Sequence, residues 1–339
     1  MKPTVLYDPV PRSTEDIFRP DVYKNLCDEF KVLERGDRVA DEFYAEHLPT
    51  ADFIVGQPPL PTEIIKTAKQ LKALINVESN FLQNMDYQYC FRNQIHVLTV
   101  SPVFAQAVAE LALGLTLALA RDIPKAHGDF VNGDESYGLE ANQNSTLINR
   151  CKLGFIGFGD LGRAILKSFS GFSPVVSVYD PWLSDELLCR EGLQVASLVE
   201  VLQDSDVVMV VASVTADNAG MLQAKHFAKM KQNALFVLMS RAEVVDFDAM
   251  LDACSSGHIR AATDVFPIEP LPQKHRARTT PNVILSAHRA GALESALFEI
   301  GDRTLADLRL MAKGLPPQNC KRAEHELVGK VRSKPIDKS

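Results

Sequence analysis

Lys152-Leu153-Gly154-Phe155-Ile156-Gly157-Phe158-Gly159-Asp160-Leu161-Gly162-Arg163-Ala164 reads as a short apolar strand, a glycine turn and the first turn of a helix. A G-x-G-x-x-G run in that setting is the fingerprint of a dinucleotide-binding turn. Gly157 lets the chain turn tightly off the strand. Gly159 has no side chain to hold a pyrophosphate away from the backbone, and Gly162 allows close packing of the helix on the sheet. The helix that opens at Asp160 and Leu161 offers free N–H groups and a positive dipole end to phosphates. The next strand, Val175-Val176-Ser177-Val178-Tyr179-Asp180, ends in an acid roughly twenty residues past the glycines, where a carboxylate can bind both ribose hydroxyls of adenosine. Pro181, Trp182, Leu183 and Ser184 follow it and offer no arginine or lysine for a 2′-phosphate. The expected cofactor is therefore NAD rather than NADP.

Working outward, short apolar runs recur on both sides of this motif. Before it they are Thr4–Tyr7, Phe30–Leu33, Asp52–Val55, Leu74–Val77 and His96–Val100. After Leu153–Ile156 they are Val175–Tyr179, Val207–Val211, Leu235–Met239, Arg260–Thr263 and Val283–Ser286. Helical patterns lie between some of them: Pro61–Gln70, Leu161–Phe169, Gln223–Met230 and Phe247–Ser255. Strands alternating with helices predict an α/β chain built on parallel sheets covered on both faces. Ala105–Arg121 is a helix apolar almost all round, as at a buried interface. Its run to Ala120 is short for a bilayer and carries Gln106 and Glu110, so no membrane span is expected. Asp122–Asn149 is polar and reads as an extended arm or crossover loop. Leu293–Ala312 is a last long helix that can return the chain to the first part.

Length and composition agree. The 339 residues suggest two domains, with 46% apolar and 23% charged residues. The formal charge of −7 and the lack of a basic cluster argue against a nucleic-acid partner. The six cysteines lie far apart without zinc-site spacing, which suits buried thiols in a reducing compartment. Met1–Leu6 reads as a first strand rather than a leader, so a cytoplasmic location is expected by default. No metal is expected.

Three polar residues adjoin strand ends in the second part: Arg241, Glu269 and His288. Ligands of open α/β sheets bind beyond the carboxyl ends of the strands, so the three could face one cleft. Together with Gly157–Gly162, Tyr179-Asp180-Pro181-Trp182, Ser205-Asp206-Val207-Val208, Met230-Lys231, Val245-Asp246, Asp264-Val265-Phe266, Glu269-Pro270 and Asn282-Val283, their order and spacing resemble the NAD-dependent D-2-hydroxyacid dehydrogenase family. The agreement extends to Leu71-Lys72 and Val108-Ala109-Glu110 and covers most of the chain.

The resemblance implies a doubly wound Rossmann cofactor domain, residues 122–289, and a flavodoxin-like substrate domain formed discontinuously by 1–121 and 290–339. It implies a homodimer and a small 2-hydroxy or 2-keto acid as substrate, interconverted by hydride transfer. His288 would give and take the proton at the substrate oxygen, for which imidazole suits both directions. Glu269 would bond the other ring nitrogen and orient it. Arg241 would grip the substrate carboxylate, and Asp264 would accept from the nicotinamide carboxamide. The expected cofactor contacts are Gly157, Gly159, Asp160, Leu161, Gly162, Asp180, Ser213, Ser240 and Asp264. The expected substrate contacts are Glu78, Ser79, Asn80, Arg241 and Arg289.

The chain departs from the family pattern at several points. Ala242 follows the arginine in place of glycine, Leu238 replaces an asparagine, Ser213 replaces a proline, and His288 is flanked by Ala287 and Arg289. The loop Glu78–Asp86, glycine-containing in the family, has no glycine here and begins with an acid. Two readings follow: Glu78 points away and caps the next helix, or Glu78 and Arg289 read a polar substituent of the substrate. A nucleotide-sensing, corepressor-like protein with little turnover is the alternative from another class, and an oxidant of formate or phosphite a weaker enzyme alternative.

Overall fold

The computed structural model describes residues 2–328. The chain divides into two units, one made of the chain up to Phe104 and from Ala292 on, the other of Ala105–Gly291. The division falls inside a long helix, Ser101–Ala120, rather than at its end.

In the first unit, β1 (Thr4–Tyr7), β2 (Lys31–Glu34), β3 (Phe53–Val55), β4 (Ala73–Asn76) and β5 (His96–Thr99) form a parallel sheet in the order β2-β1-β3-β4-β5. This is the flavodoxin-like strand order. β3 and β4 are buried at every position, as strands covered on both faces must be, and are apolar except for Asn76 at the end of β4. Leu6, Phe43, Leu48, Ile54, Ile65, Leu74 and Cys90 fill one face of this sheet. Each large side chain so buried contributes roughly 1.5–3 kcal/mol. The helix Glu294–Ala312 belongs to this unit and buries Ile300, Leu305, Leu308 and Met311. Its Asp307 is fully buried and accepts from the N–H groups of Gln318, Asn319 and Cys320. That knot delivers Lys321–Arg322 as an antiparallel edge strand beside β5.

In the second unit, β6 (Lys152–Ile156), β7 (Val175–Tyr179), β8 (Gln194–Val195), β9 (Val207–Val210), β10 (Ala234–Leu238), β11 (Ile259–Thr263) and β12 (Val283–Leu285) form an all-parallel sheet. The order β12-β11-β10-β9-β6-β7-β8 is doubly wound about β6, from which the chain turns to β7 on one side and later to β9 on the other. Such a switch point is where these folds bind ligands, and the glycine turn follows β6 directly. Its core includes Ile156, Val208, Val210, Phe227, Phe236, Leu238, Met250 and Leu251. Local signals start the helices: Ser197 and Glu200 make a capping box for Leu198–Asp204, and Asp246 caps Phe247–Ser255 through the Ala249 N–H.

Four expectations need correction. Asp122–Asn149 is no extended arm: it contains a helix, Ile123–Asn132, started by Pro124 and stopped by Gly133, and a short 3-10 turn, Glu140–Asn142. Pro61–Gln70 forms one helical turn, Thr62–Ile65, beyond which Thr67 and Ala68 bond back only three residues, to Ile64 and Ile65. β8 and Lys321–Arg322 were not anticipated, since two-residue edge strands leave no apolar run. Finally, Ser101–Ala120 has 20 residues, long and apolar enough by length and composition to cross a bilayer. What marks it as a core helix is burial of 56% of its apolar stretch inside the fold. Its end is tied down: the buried Arg260 of β11 donates to the Leu119 carbonyl at 2.8 Å and to Thr146 Oγ1 at 2.8 Å. Burial lowers the pKa of this arginine from its ordinary value.

Candidate active site

The glycine turn is built as a cradle. Gly157 adopts φ +84°, and a Cβ there would sit 2.6 Å from the Ala212 backbone, so only glycine fits. Its N–H bonds the Tyr179 carbonyl at 2.9 Å. The Phe158 N–H bonds Asp180 Oδ2 at 2.7 Å, and Asp180 Oδ1 accepts from the Trp182 N–H at 2.8 Å. Asp180 thus ties the turn to the end of β7. Gly159 is the N-cap of Asp160–Ser168, no side chain caps that helix, and a Cβ on Gly159 would meet nothing within 4 Å. Gly162 faces the Phe158 ring, which a Cβ would approach to 2.9 Å, so it accommodates the turn itself rather than the sheet. Leu161 is half-buried beside it. Open space at Gly159, an uncapped helix start and an acid at the next strand end fit a dinucleotide.

Two further expected cofactor residues differ in setting. Ser240, past the end of β10, is 5% exposed and its Oγ is buried without a hydrogen-bond partner. A bound group could supply one. Ser213 is exposed beyond β9, its carbonyl taken by Asn218 Nδ2 at 2.7 Å.

The register Leu238–Thr263–Leu285 across β10, β11 and β12 brings the next residues to neighbouring strand ends. His288 Nδ1 lies 2.6 Å from Glu269 Oε2, and Glu269 Oε1 accepts from the Phe266 N–H at 2.9 Å. The carboxylate is therefore aimed by the backbone, and it aims the ring. With Nδ1 engaged, Nε2 is the ring nitrogen left for a ligand, on a side chain 41% exposed. His288 has φ +47°, a left-handed conformation that a histidine keeps only where its surroundings impose it. Asp264 imposes it. Its carbonyl accepts the His288 N–H at 2.7 Å, and its carboxylate accepts from the N–H groups of Arg289 and Ala290 at 3.1 and 3.0 Å. At 2% exposure, Asp264 is the anchor of the histidine loop. Arg241 donates from Nη1 to the Ser240 carbonyl at 2.8 Å and has no acidic partner among the described residues. A half-buried guanidinium without a carboxylate is suited to take one from a ligand. Arg289 is exposed, and its guanidinium bonds nothing among the described residues.

The first unit holds the remaining predicted residues. Glu78 is buried and caps no helix: the helix Tyr87–Arg92 is capped by Asp86, which accepts from the Tyr89 N–H. The Thr62 hydroxyl and that N–H hold the Asp86 carboxyl below its usual range. The partner of Glu78 is instead Arg12, whose Nε lies 2.6 Å from Oε1. Arg12 was not anticipated; no spacing signal links residues so far apart in sequence. Ser79 and Asn80 are half-buried, with the Asn80 carbonyl accepting from Asn76 Nδ2 at 2.7 Å.

Residues 113–290 match the family model of the D-isomer specific 2-hydroxyacid dehydrogenase, NAD binding domain. The chain belongs to the D-isomer specific 2-hydroxyacid dehydrogenase family. It is 44% identical to a phosphoglycerate oxidoreductase from Rhizobium etli of solved structure, with a TM-score of 0.86 over 96% of this chain and 99% of that one. It is 29% identical over 268 residues to a D-3-phosphoglycerate dehydrogenase of Archaeoglobus fulgidus, covering 78% of this chain and 49% of the relative. With a glyoxylate reductase of Thermococcus litoralis it shares 28% over 263 residues, 76% of this chain and 78% of the other. The chain thus spans about half the length of that phosphoglycerate dehydrogenase. Within this dehydrogenase family's NAD-binding domain lie the cradle, Asp180, Arg241 and the His288–Glu269 pair.

Proposed function

We propose that the protein interconverts a D-2-hydroxy acid and its 2-keto acid with NAD(H). The observation that carries this reading is the 2.6 Å contact between His288 Nδ1 and Glu269 Oε2, which leaves Nε2 for the substrate oxygen. Bound NAD(H) supplies or takes up the hydride. His288 Nε2 gives a proton to the keto oxygen in reduction and takes it from the hydroxyl in oxidation. Glu269 keeps the ring in one orientation. Arg241 holds the substrate carboxylate in its fork, and Asp264 holds the loop that bears His288. Asp180 takes the adenosine ribose hydroxyls, and Gly157, Gly159, Asp160, Leu161, Gly162, Ser213 and Ser240 surround the rest of the cofactor. A protein that only senses nucleotide has no use for a proton donor aimed by a carboxylate, and this favours the enzyme over the corepressor-like alternative.

The test is NADH consumption against a panel of 2-keto acids, with NADPH in parallel. Turnover with NADH preferred, lost by about 10²–10⁴-fold in His288→Ala while NADH still binds, is the expected result. Unchanged turnover in His288→Ala refutes the assignment.

The protein is also proposed to be a homodimer. Ile123, Phe130, Val131, Tyr137, Leu139 and Leu147 are 52–86% exposed within one segment. Such a concentration of large apolar side chains marks an interaction surface. Light scattering on Phe130→Asp/Leu139→Asp should give a monomer where the unmodified protein gives a dimer; an unmodified protein that is monomeric at micromolar concentration refutes it.

A further inference from the structure

Arg163 and Glu191 are not among the expected cofactor contacts, yet together they hold the backbone of the glycine turn. Arg163 stands in the first turn of the helix Asp160–Ser168, directly after Gly162. Side chains on a helix lean toward its N-terminus, and this one leans back onto the turn. Its Nη1 donates to the Phe158 carbonyl at 2.8 Å, and its guanidinium carbon lies 5.2 Å from the centre of the Phe158 ring. Glu191 takes the rest of the fork: Nη2 donates to Oε1 at 2.7 Å and Nε to Oε2 at 3.2 Å. Paired bonds of this kind fix the plane of a guanidinium as well as its position. Glu191 is the C-cap of the helix Asp185–Arg190, where a carboxylate meets the negative end of the helix dipole. The acid is poorly placed for its own helix and well placed for Arg163.

The peptide that Arg163 holds is one that glycine leaves loose. A peptide plane flips when ψ of one residue and φ of the next change together. At Phe158–Gly159 the second residue has φ −81°, and with no Cβ it can reach positive φ at little cost. The room that Gly159 gives a pyrophosphate therefore also gives the preceding peptide a second orientation. The peptide before that is already fixed, since the Phe158 N–H bonds Asp180 Oδ2 at 2.7 Å. The Phe158 C=O and the Gly159 N–H belong to one planar peptide and point in opposite directions. With the carbonyl held on Arg163, the Gly159 N–H is turned the other way, and it has no acceptor among the described residues. In the flipped state a carbonyl oxygen would stand in its place and repel an anion.

We propose that Arg163, aimed by Glu191, is a positioning residue for NAD(H): it holds the Phe158–Gly159 peptide so that an N–H, and not a carbonyl, meets the pyrophosphate. The proposal rests on the cofactor reading of the glycine turn and adds two residues that act through its backbone.

The experiment measures NADH affinity by fluorescence titration, and the affinities of ADP-ribose and adenosine by displacement of NADH. The proteins are the unmodified chain, Arg163→Ala, Arg163→Lys and Glu191→Ala, and each is also melted without ligand. Arg163→Ala should weaken NADH and ADP-ribose by the same factor, about 5–20-fold, as the loss of a charge-assisted hydrogen bond at a partly exposed site. Adenosine has no pyrophosphate, and its affinity should change by less than about twofold. Melting without ligand should fall by no more than about 4 °C, as for a partly exposed ion pair. Glu191→Ala leaves the arginine charged but unaimed, and should weaken NADH about 3–10-fold. Arg163→Lys keeps the charge and loses the fork, and should recover only part of the loss. A loss on adenosine equal to that on NADH makes Arg163 a prop of the whole domain and overturns the proposal. Tighter NADH binding in Glu191→Ala, or full affinity in Arg163→Lys, reduces its role to bare positive charge and overturns it too. No NADH binding by the unmodified protein overturns the cofactor reading itself, and this proposal falls with it.

Discussion

Gly157 and Gly159 stand two residues apart in one motif, yet substitution by alanine should produce opposite failures. At Gly157 the added Cβ lies 2.6 Å from both Cα and N of Ala212, which are backbone atoms at the end of a buried strand and cannot swing aside. The residue also sits at φ +84°, where an L side chain costs roughly 1–2 kcal/mol. Overpacking adds about 1–3 kcal/mol. The sum is about 2–5 kcal/mol, and at about 2–4 °C per kcal/mol for a domain of this size the melting temperature should fall by roughly 4–20 °C. At Gly159 the Cβ meets nothing within 4 Å, so Gly159→Ala should cost at most about 1 kcal/mol, from the poorer N-cap. The methyl instead enters the space at the uncapped helix start that a pyrophosphate would take. NADH affinity should fall about 10–100-fold, or about 1.4–2.8 kcal/mol. Calorimetric melting and fluorescence titration with NADH separate the two effects. Equal melting loss in both variants, or full NADH affinity in Gly159→Ala, refutes the reasoning.

Three further outcomes follow from buried or paired carboxylates. Asp264→Ala removes the acceptor for the Arg289 and Ala290 N–H groups and frees a histidine held at φ +47°; kcat should drop about 100-fold with little change in NADH affinity, and an unchanged kcat defeats the anchoring role. Asp307→Ala leaves the N–H groups of Gln318, Asn319 and Cys320 without their acceptor; urea denaturation should show a loss of about 3 kcal/mol, and a loss below about 1 kcal/mol counts against it. For Asp206, burial raises the pKa, but the Lys231 ammonium and the Lys152 N–H outweigh it, so the carboxyl titrates below its usual value. A lowered folded-state pKa gives stability that is present above the unfolded pKa and lost as pH falls through the folded one. Asp206→Asn should therefore be less stable by about 1 kcal/mol at pH 7, allowing for partial exposure. The deficit should close as pH falls below the carboxylate range, and a pH-independent deficit contradicts this account.

Local pattern alone identified much of this protein. The glycine turn, the acid at Asp180 and the apolar parallel strands are legible because a buried strand must be apolar throughout and a phosphate turn must be glycine. Arg241, Glu269 and His288 were legible as residues beyond strand ends, since parallel strands all deliver their carboxyl ends to one edge. Helix limits were less so: Pro61–Gln70 has helical spacing but only one turn forms, and the helix Ile123–Asn132 escaped notice because none of its residues is buried.

What tertiary structure decided are the pairings between distant residues. Glu78 read as a helix cap or, with Arg289, as a reader of a polar substituent, because a sequence shows only neighbours; folding set β1 near β4 and gave it Arg12 as its ion-pair partner. Asp264, expected as a cofactor contact, also proves to be buried with its carboxylate on the backbone of the histidine loop, a second role that no local pattern announces. Periodicity and turn chemistry are properties of adjacent residues and survive in one dimension. The partner of a buried charge depends on which strand ends adjoin, and only the folded sheets determine that.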